Sequence, residues 1–193
     1  MEFWHYSDQN FKYDPDRKYI QRENQLKPYG FWFSVDDAWE TWCYENNFPG
    51  EKLVTRSFVT INDFSNILII EDIEQYQSFI DRFFFYPMEE PDWENLLQPP
   101  VEEDRFKTYE KFIEKLKEYW PLYKEEHKKP RHDPDWEAVS KEYAGIIMPK
   151  YYELYRTVRE SDNFSYLWLS SWDVSSGCVW DLSIVTVNDL LHE

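Results

Sequence analysis

Most side chains here that can do chemistry sit in patterns that carry none. His127 and His132 are five residues apart, flanked by Lys128, Lys129 and Arg131, with no carboxylate at a metal-ligand spacing. A surface loop is expected there, not a metal centre. Ser170, Ser171, Ser175 and Ser176 lie in turn contexts without a Gly-x-Ser-x-Gly elbow, which sets a serine hydrolase aside. Paired carboxylates can run glycoside hydrolysis against aromatic sugar platforms, but with 38 Asp and Glu in the chain such pairs discriminate nothing. The four glycines, Gly30, Gly50, Gly145 and Gly177, are scattered. That excludes the clustered-glycine phosphate loops of dinucleotide-binding folds and nucleoside triphosphatases. What remains is a combination of Trp4-His5-Tyr6-Ser7, Lys27-Pro28-Tyr29-Gly30-Phe31-Trp32-Phe33-Ser34, and the late acidic run from Trp172-Asp173 to Trp180.

The elements that must position these residues can be read from pattern. Phe3 to Ser7 is a short aromatic strand, and Asp14-Pro15-Asp16 is a turn in the polar stretch to Gln25. After the break at Pro28 and Gly30, Phe31 to Phe33 is extended, and Ser34 with Asp37 has the form of a capping box. The helix it opens carries Val35, Ala38, Trp39, Trp42 and Cys43 on one face and stops at Pro49-Gly50. Two strands are expected at Leu53–Ile61 and Ile67–Glu71. Asp72 then caps a helix with Ile73, Tyr76, Phe79, Ile80 and Phe83 inward. An acidic, proline-rich linker from Pro87 to Asp104 precedes a long amphipathic helix through Phe106, Ile113 and Trp120, interrupted or kinked at Pro121. Pro-Asp-Trp-Glu occurs at Pro91 and again at Pro134, each reading as a helix start with Asp as cap. The last third offers strands at Ala144–Met148, Tyr166–Trp172 and Cys178–Val187, the latter two joined as a hairpin through Val174 to Gly177. The simplest architecture is a single α+β domain over residues 1–193, a mixed or antiparallel sheet with a helical insertion at about 72–143.

Composition narrows the partners. The formal net charge of −17 repels a phosphate backbone, so nucleic acid is disfavoured and a protein target with a basic surface is expected. Cys43 and Cys178 stand apart without paired spacing, as reduced thiols of a cytoplasmic protein would. No apolar run of membrane-spanning length occurs, and Met1-Glu2-Phe3-Trp4-His5 lacks the form of a signal peptide. Oligomeric state is left open.

The ordered combination resembles the ADP-ribosyltransferase superfamily. There, a strand-borne His-Gly-Ser/Thr, a Gly-Ile-Tyr-Phe-Ala/Ser segment feeding a helix, and a late acid build an NAD site. The resemblance implies an ADP-ribosyltransferase-like fold and transfer of ADP-ribose from NAD, as a substrate, to a macromolecule, such as the target of a toxin or a phage anti-defence effector. His5 would hydrogen-bond the NAD ribose and Ser7 would sit beside the nicotinamide carboxamide, with Tyr6 where the family has glycine. Gly30 to Ser34 would supply the second segment, placing Gly30 and Ser34 against the cofactor and Trp32 where the family has its nicotinamide-stacking tyrosine. Trp42, with Trp39 as rival, would be a second ring enclosing a planar cation. Asp173 is the preferred catalytic carboxylate, with Glu142 and Asp181 as rivals. Splitting the ribose–nicotinamide bond develops oxocarbenium character, which calls for an anion near the sugar and an oriented leaving ring. The resemblance covers the two ends of the chain and leaves the central helices unmatched.

A different class of function uses the same charge. A non-enzymatic acidic protein imitating nucleic acid would occupy the basic groove of its partner and needs no cleft. The two readings part on whether His5, Trp32 and Asp173 meet around one cavity.

Overall fold

The computed structural model describes residues 1–7, 12–22, 25–48, 55–85, 91–93, 103–126, 131, 133–160 and 166–189. The His127/His132 pair, the Pro49-Gly50 stop, the beginning of the strand expected at Leu53 and most of the 87–104 linker lie outside them. The chain forms two compact units, Met1–Phe84 with His132–Glu193, and Phe85–Arg131.

The first unit is organised on a seven-stranded mixed sheet. Its strands are β1 (Phe3–Ser7), β2 (Phe31–Val35), β3 (Thr55–Ile61), β4 (Ile67–Ile69), β5 (Gly145–Met148), β6 (Ser176–Val179) and β7 (Val185–Asp189). They lie in the order β4-β5-β6-β2-β1-β3-β7, with β4 and β5 parallel and every other pair antiparallel. Alternation along β2 puts Phe31, Phe33 and Val35 on one face, where they pack with Phe3, Val59, Ile61, Val179 and Val185. Trp32 and Ser34 take the opposite face. All of β5 is buried, as expected of a strand covered on both sides.

Helix α1 (Ala38–Glu45) follows β2, and α2 (Ile73–Phe83) follows β4. Asp72 accepts a hydrogen bond from the Gln75 amide at 2.8 Å, and Tyr76, Phe79, Ile80 and Phe83 are buried at helical spacing. The second unit holds α3 (Glu103–Glu126), which runs unbroken through Pro121 where an interruption was one expectation. Within it Trp120 stacks on Tyr123 and meets the ring of Trp93 edge-on. Helix α4 (Trp136–Glu142) starts as expected, with Asp135 accepting from the Ala138 amide at 3.0 Å. Helices α2 and α4, read from the sequence as the ends of an insertion, belong to the sheet-bearing unit. Helix α5 (Tyr151–Glu160) follows β5.

The C-terminal hairpin is corrected. Tyr166–Leu169 is a short helix, α6, continued by turns in which Ser171 and Trp172 donate to the carbonyls of Trp168 and Leu169. Trp168, Leu169 and Trp172 are all buried, and their helical spacing puts the three inward together, where a strand would have sent Leu169 to the face opposite the two indoles. Gly177 is therefore no turn. It lies inside β6, where an added Cβ would come within 2.5 Å of the Phe33 ring. The second predicted strand is split by a 3₁₀ turn at Leu182–Ile184 into β6, beside β2, and β7, on the sheet edge beside β3. Among the described residues, no helix is long and apolar enough to cross a membrane. Cys43 and Cys178 are buried free thiols.

Candidate functional site

The site begins where two strands part. β1 and β2 pair at Phe3 with Val35 and at Trp4 with Ser34, and no further. Yet β1 continues to Ser7 along β3, and β2 extends back to Phe31 along β6. The unpaired ends border a cleft of about 330 Å³, at the small end of ligand-binding pockets. His5 and Tyr6 from β1, Trp32 from β2, Lys27 ahead of it, and Trp172 and Asp173 ahead of β6 line the cleft. Trp4, Phe33, Ser34, Trp39, Val174 and Ser176 complete the lining.

His5 bridges the parting. Its Nδ1 lies 2.7 Å from the Trp32 carbonyl oxygen. A carbonyl only accepts, so Nδ1 carries the proton and Nε2 of the neutral ring is the acceptor. Burial lowers the pKa of His5 below the ordinary 6.5, and the bond to Trp32 opposes this only in part. The sign of the pH dependence follows. The unfolded chain takes up this proton first, so the stability contributed by neutral His5 is complete above about pH 6.5. It is lost as pH falls from there through the folded value. Urea unfolding at steps from pH 7.5 to 5.5 should give a shallower loss of stability in His5→Gln than in the parent; equal slopes would refute the assignment.

Asp173 is presented by a turn of unusual backbone. Its φ is 69°, and the Val174 amide donates to the Trp172 carbonyl at 2.8 Å, the pattern of a γ-turn of the rarer positive-φ kind. Asp tolerates this region better than most residues, and such conformations collect at functional sites. The turn is pinned from behind. Ser175 accepts the Tyr151 amide on its hydroxyl and the Val35 amide on its carbonyl, and Ser176 Oγ donates to Val174 O. These serines are thus occupied structurally. Burial first, and then the nearby Asp173 carboxylate, push the Tyr151 phenol pKa up.

The aromatic walls are held by one another. Trp32 meets Trp172 edge-on at 4.9 Å, and the Arg56 guanidinium lies 3.8 Å from the centroid of Trp4. Tyr6 donates to Glu40 at 3.4 Å, and burial raises its pKa to about 12, so it stays a neutral phenol. Lys27 Nζ lies 3.0 Å from Asp173 Oδ2 and 5.5 Å from the Trp32 ring centroid. Trp4 and Trp172 each bury an indole N–H with no partner among the described residues.

Of the residues expected at a site, His5, Trp32, Ser34 and Asp173 meet here, and Ser7, Gly30 and Trp42 do not. Ser7 lies on β1 against Thr55 of β3. Gly30 has a packing reason instead, because a Cβ there would fall 2.4 Å from Cys178 Sγ and 2.6 Å from the Val179 carbonyl oxygen. Trp42 stacks on Trp39 at 5.0 Å, and Trp39, its rival, is the ring that reaches the cleft. Ser34 does not form the capping box with Asp37. Its Oγ accepts the Trp39 amide at 3.0 Å and so ties the start of α1 to the floor of the cleft. Glu142 is paired with Arg82, and Asp181 accepts from the Ser183 amide in the 3₁₀ turn, so neither rival acid lines the cleft. Sequence reasoning missed Lys27 and Trp172 as wall residues. Lys27 lies only five positions before Trp32, but nothing local ties it to an acid 146 residues away.

No protein-family model matches the chain, and no curated protein or solved structure matches it.

Proposed function

We propose that this protein is an NAD-dependent ADP-ribosyltransferase that works in the cleft between β1 and β2. The carrying observation is that His5 of β1, whose ring packs on Phe31 at 4.4 Å, Trp32 of β2 and Asp173 ahead of β6 border one cavity, because β1, β2 and β6 are neighbours in the sheet. A nucleic-acid mimic has no need of that convergence. In the proposed reaction the bond between C1′ of the ribose and the nicotinamide nitrogen breaks, and the ring leaves with the electron pair as neutral nicotinamide. Asp173 stabilises the cationic sugar, and a nucleophile on the target protein attacks C1′ and loses its proton. A ribose hydroxyl reaches the buried His5 Nε2 only if the ring turns outward, and Trp32 offers its face to the cationic ring. The cleft volume suits the nicotinamide–ribose half of the substrate.

The acidic surface supports a basic protein target. On α1, just beyond Trp39, Glu40 and Glu45 are exposed beside Asp37, and such a field raises the rate of encounter with a basic partner. Incubation with labelled NAD and cell lysate should release nicotinamide and label a protein band. Calorimetry showing no NAD binding to the folded protein would sink the proposal.

A further inference from the structure

The cation subsite of this cleft is already filled by the chain itself. Trp32 and Asp173 together make a site for a positive charge, an indole face beside a carboxylate, and the Lys27 ammonium stands in it, 5.5 Å from the ring centroid and 3.0 Å from Asp173 Oδ2. We propose that Lys27 is a built-in competitor, which any cationic ligand must displace before it can stack on Trp32. The inference that the displacing ligand is the nicotinamide ring rests on the transferase reading; the competition itself does not.

Three features make Lys27 suited to leave. It sits on a flexible four-carbon stem, whose ammonium is readily rehydrated. Both partners of the pair are about two-fifths exposed, 41% for Lys27 and 42% for Asp173, so the pair is a weak one that water and salt compete with. Lys27 also lies immediately before Pro28 in the loop that leads into β2, outside any strand or helix, so its movement breaks no backbone ladder. An incoming cation replaces the ammonium charge for charge, leaving Asp173 neutralised, whereas a neutral ring leaves the carboxylate without its counter-charge. The resident lysine thus holds back weak or neutral ligands and yields to a permanently cationic one.

The test uses 1-methylnicotinamide, a cation without phosphate, followed by quenching of tryptophan fluorescence on the full chain. Lys27→Met should bind it about three- to tenfold more tightly than the parent, the size expected for removing one exposed ion pair and one cation–π contact. Lys27→Arg, which keeps the charge and stacks more readily on an indole, should bind the probe no more tightly than the parent and so separates competition from altered packing. Equal or weaker binding by a folded Lys27→Met overturns the proposal, as does absence of probe binding in both proteins. Nicotinamide release from NAD is measured alongside. Tighter probe binding by Lys27→Met with no release from either protein leaves the competition standing and removes the transferase reading. Release from both with unchanged probe affinity does the reverse.

Discussion

Asp173→Asn should lower the rate of nicotinamide release from NAD by about a hundred- to a thousandfold, the usual cost of removing one group that stabilises transition-state charge. Asparagine is the informative replacement, because it is nearly isosteric and accepts the positive φ of 69° that this position requires. Alanine would add backbone strain and confuse a chemical loss with a structural one. The lost ion pair with Lys27 is exposed and contributes at most about 1 kcal/mol, so the variant should unfold within that margin of the parent. Because the effect is on the developing sugar cation, it should fall on kcat more than on KM. A folded Asp173→Asn retaining more than a third of the parent rate would remove the carboxylate from the mechanism.

Trp168→Ala should have the largest effect on the fold, a loss of about 3–5 kcal/mol in urea unfolding. Trp168 is wholly buried, and its ring contacts Tyr76, Phe79, Phe84, Trp136 and Trp172 at centroid distances from 5.2 to 6.1 Å. It joins α2, α4 and α6 in one aromatic cluster, and through Trp172 that cluster backs the wall beside Trp32. A loss of this size is a large part of the total stability of about 5–15 kcal/mol usual for a domain. The indole N–H of Trp168 has no partner among the described residues, so Trp168→Phe removes volume but also an unsatisfied donor. It should cost less than half as much. A Trp168→Ala loss below about 1 kcal/mol would mean that the cluster is not the support described here.

The readable parts of this protein share a physical character. Helix α2 was legible because a capping Asp72 and an apolar face at three- and four-residue spacing are local signals that its environment only reinforces. β1 and β2 were legible as short, aromatic, strand-prone runs next to turn signals. Tyr166–Trp172 was misread because its β-prone composition has no local counterweight. Its helical form comes from burying Trp168, Leu169 and Trp172 on one side, a demand set by residues far away in the chain. Ser34 shows the same limit on a smaller scale. Its type announces a cap, but the amide it binds, on Trp39 and not on Asp37, depends on how the chain turns through Asp36 at φ 51°.

The sequence by itself determined the acidic surface, the caps of α2 and α4, and the placing of His5 and Trp32 on strands, since charge, capping and strand propensity act over a few residues. Only the tertiary structure decided that β6 lies against β2, that β1 and β2 part after Trp4 and Ser34, and that Lys27 meets Asp173 across 146 residues. Strand neighbours and the point where a ladder ends are selected by the summed packing of distant segments, and no local window of residues carries that sum.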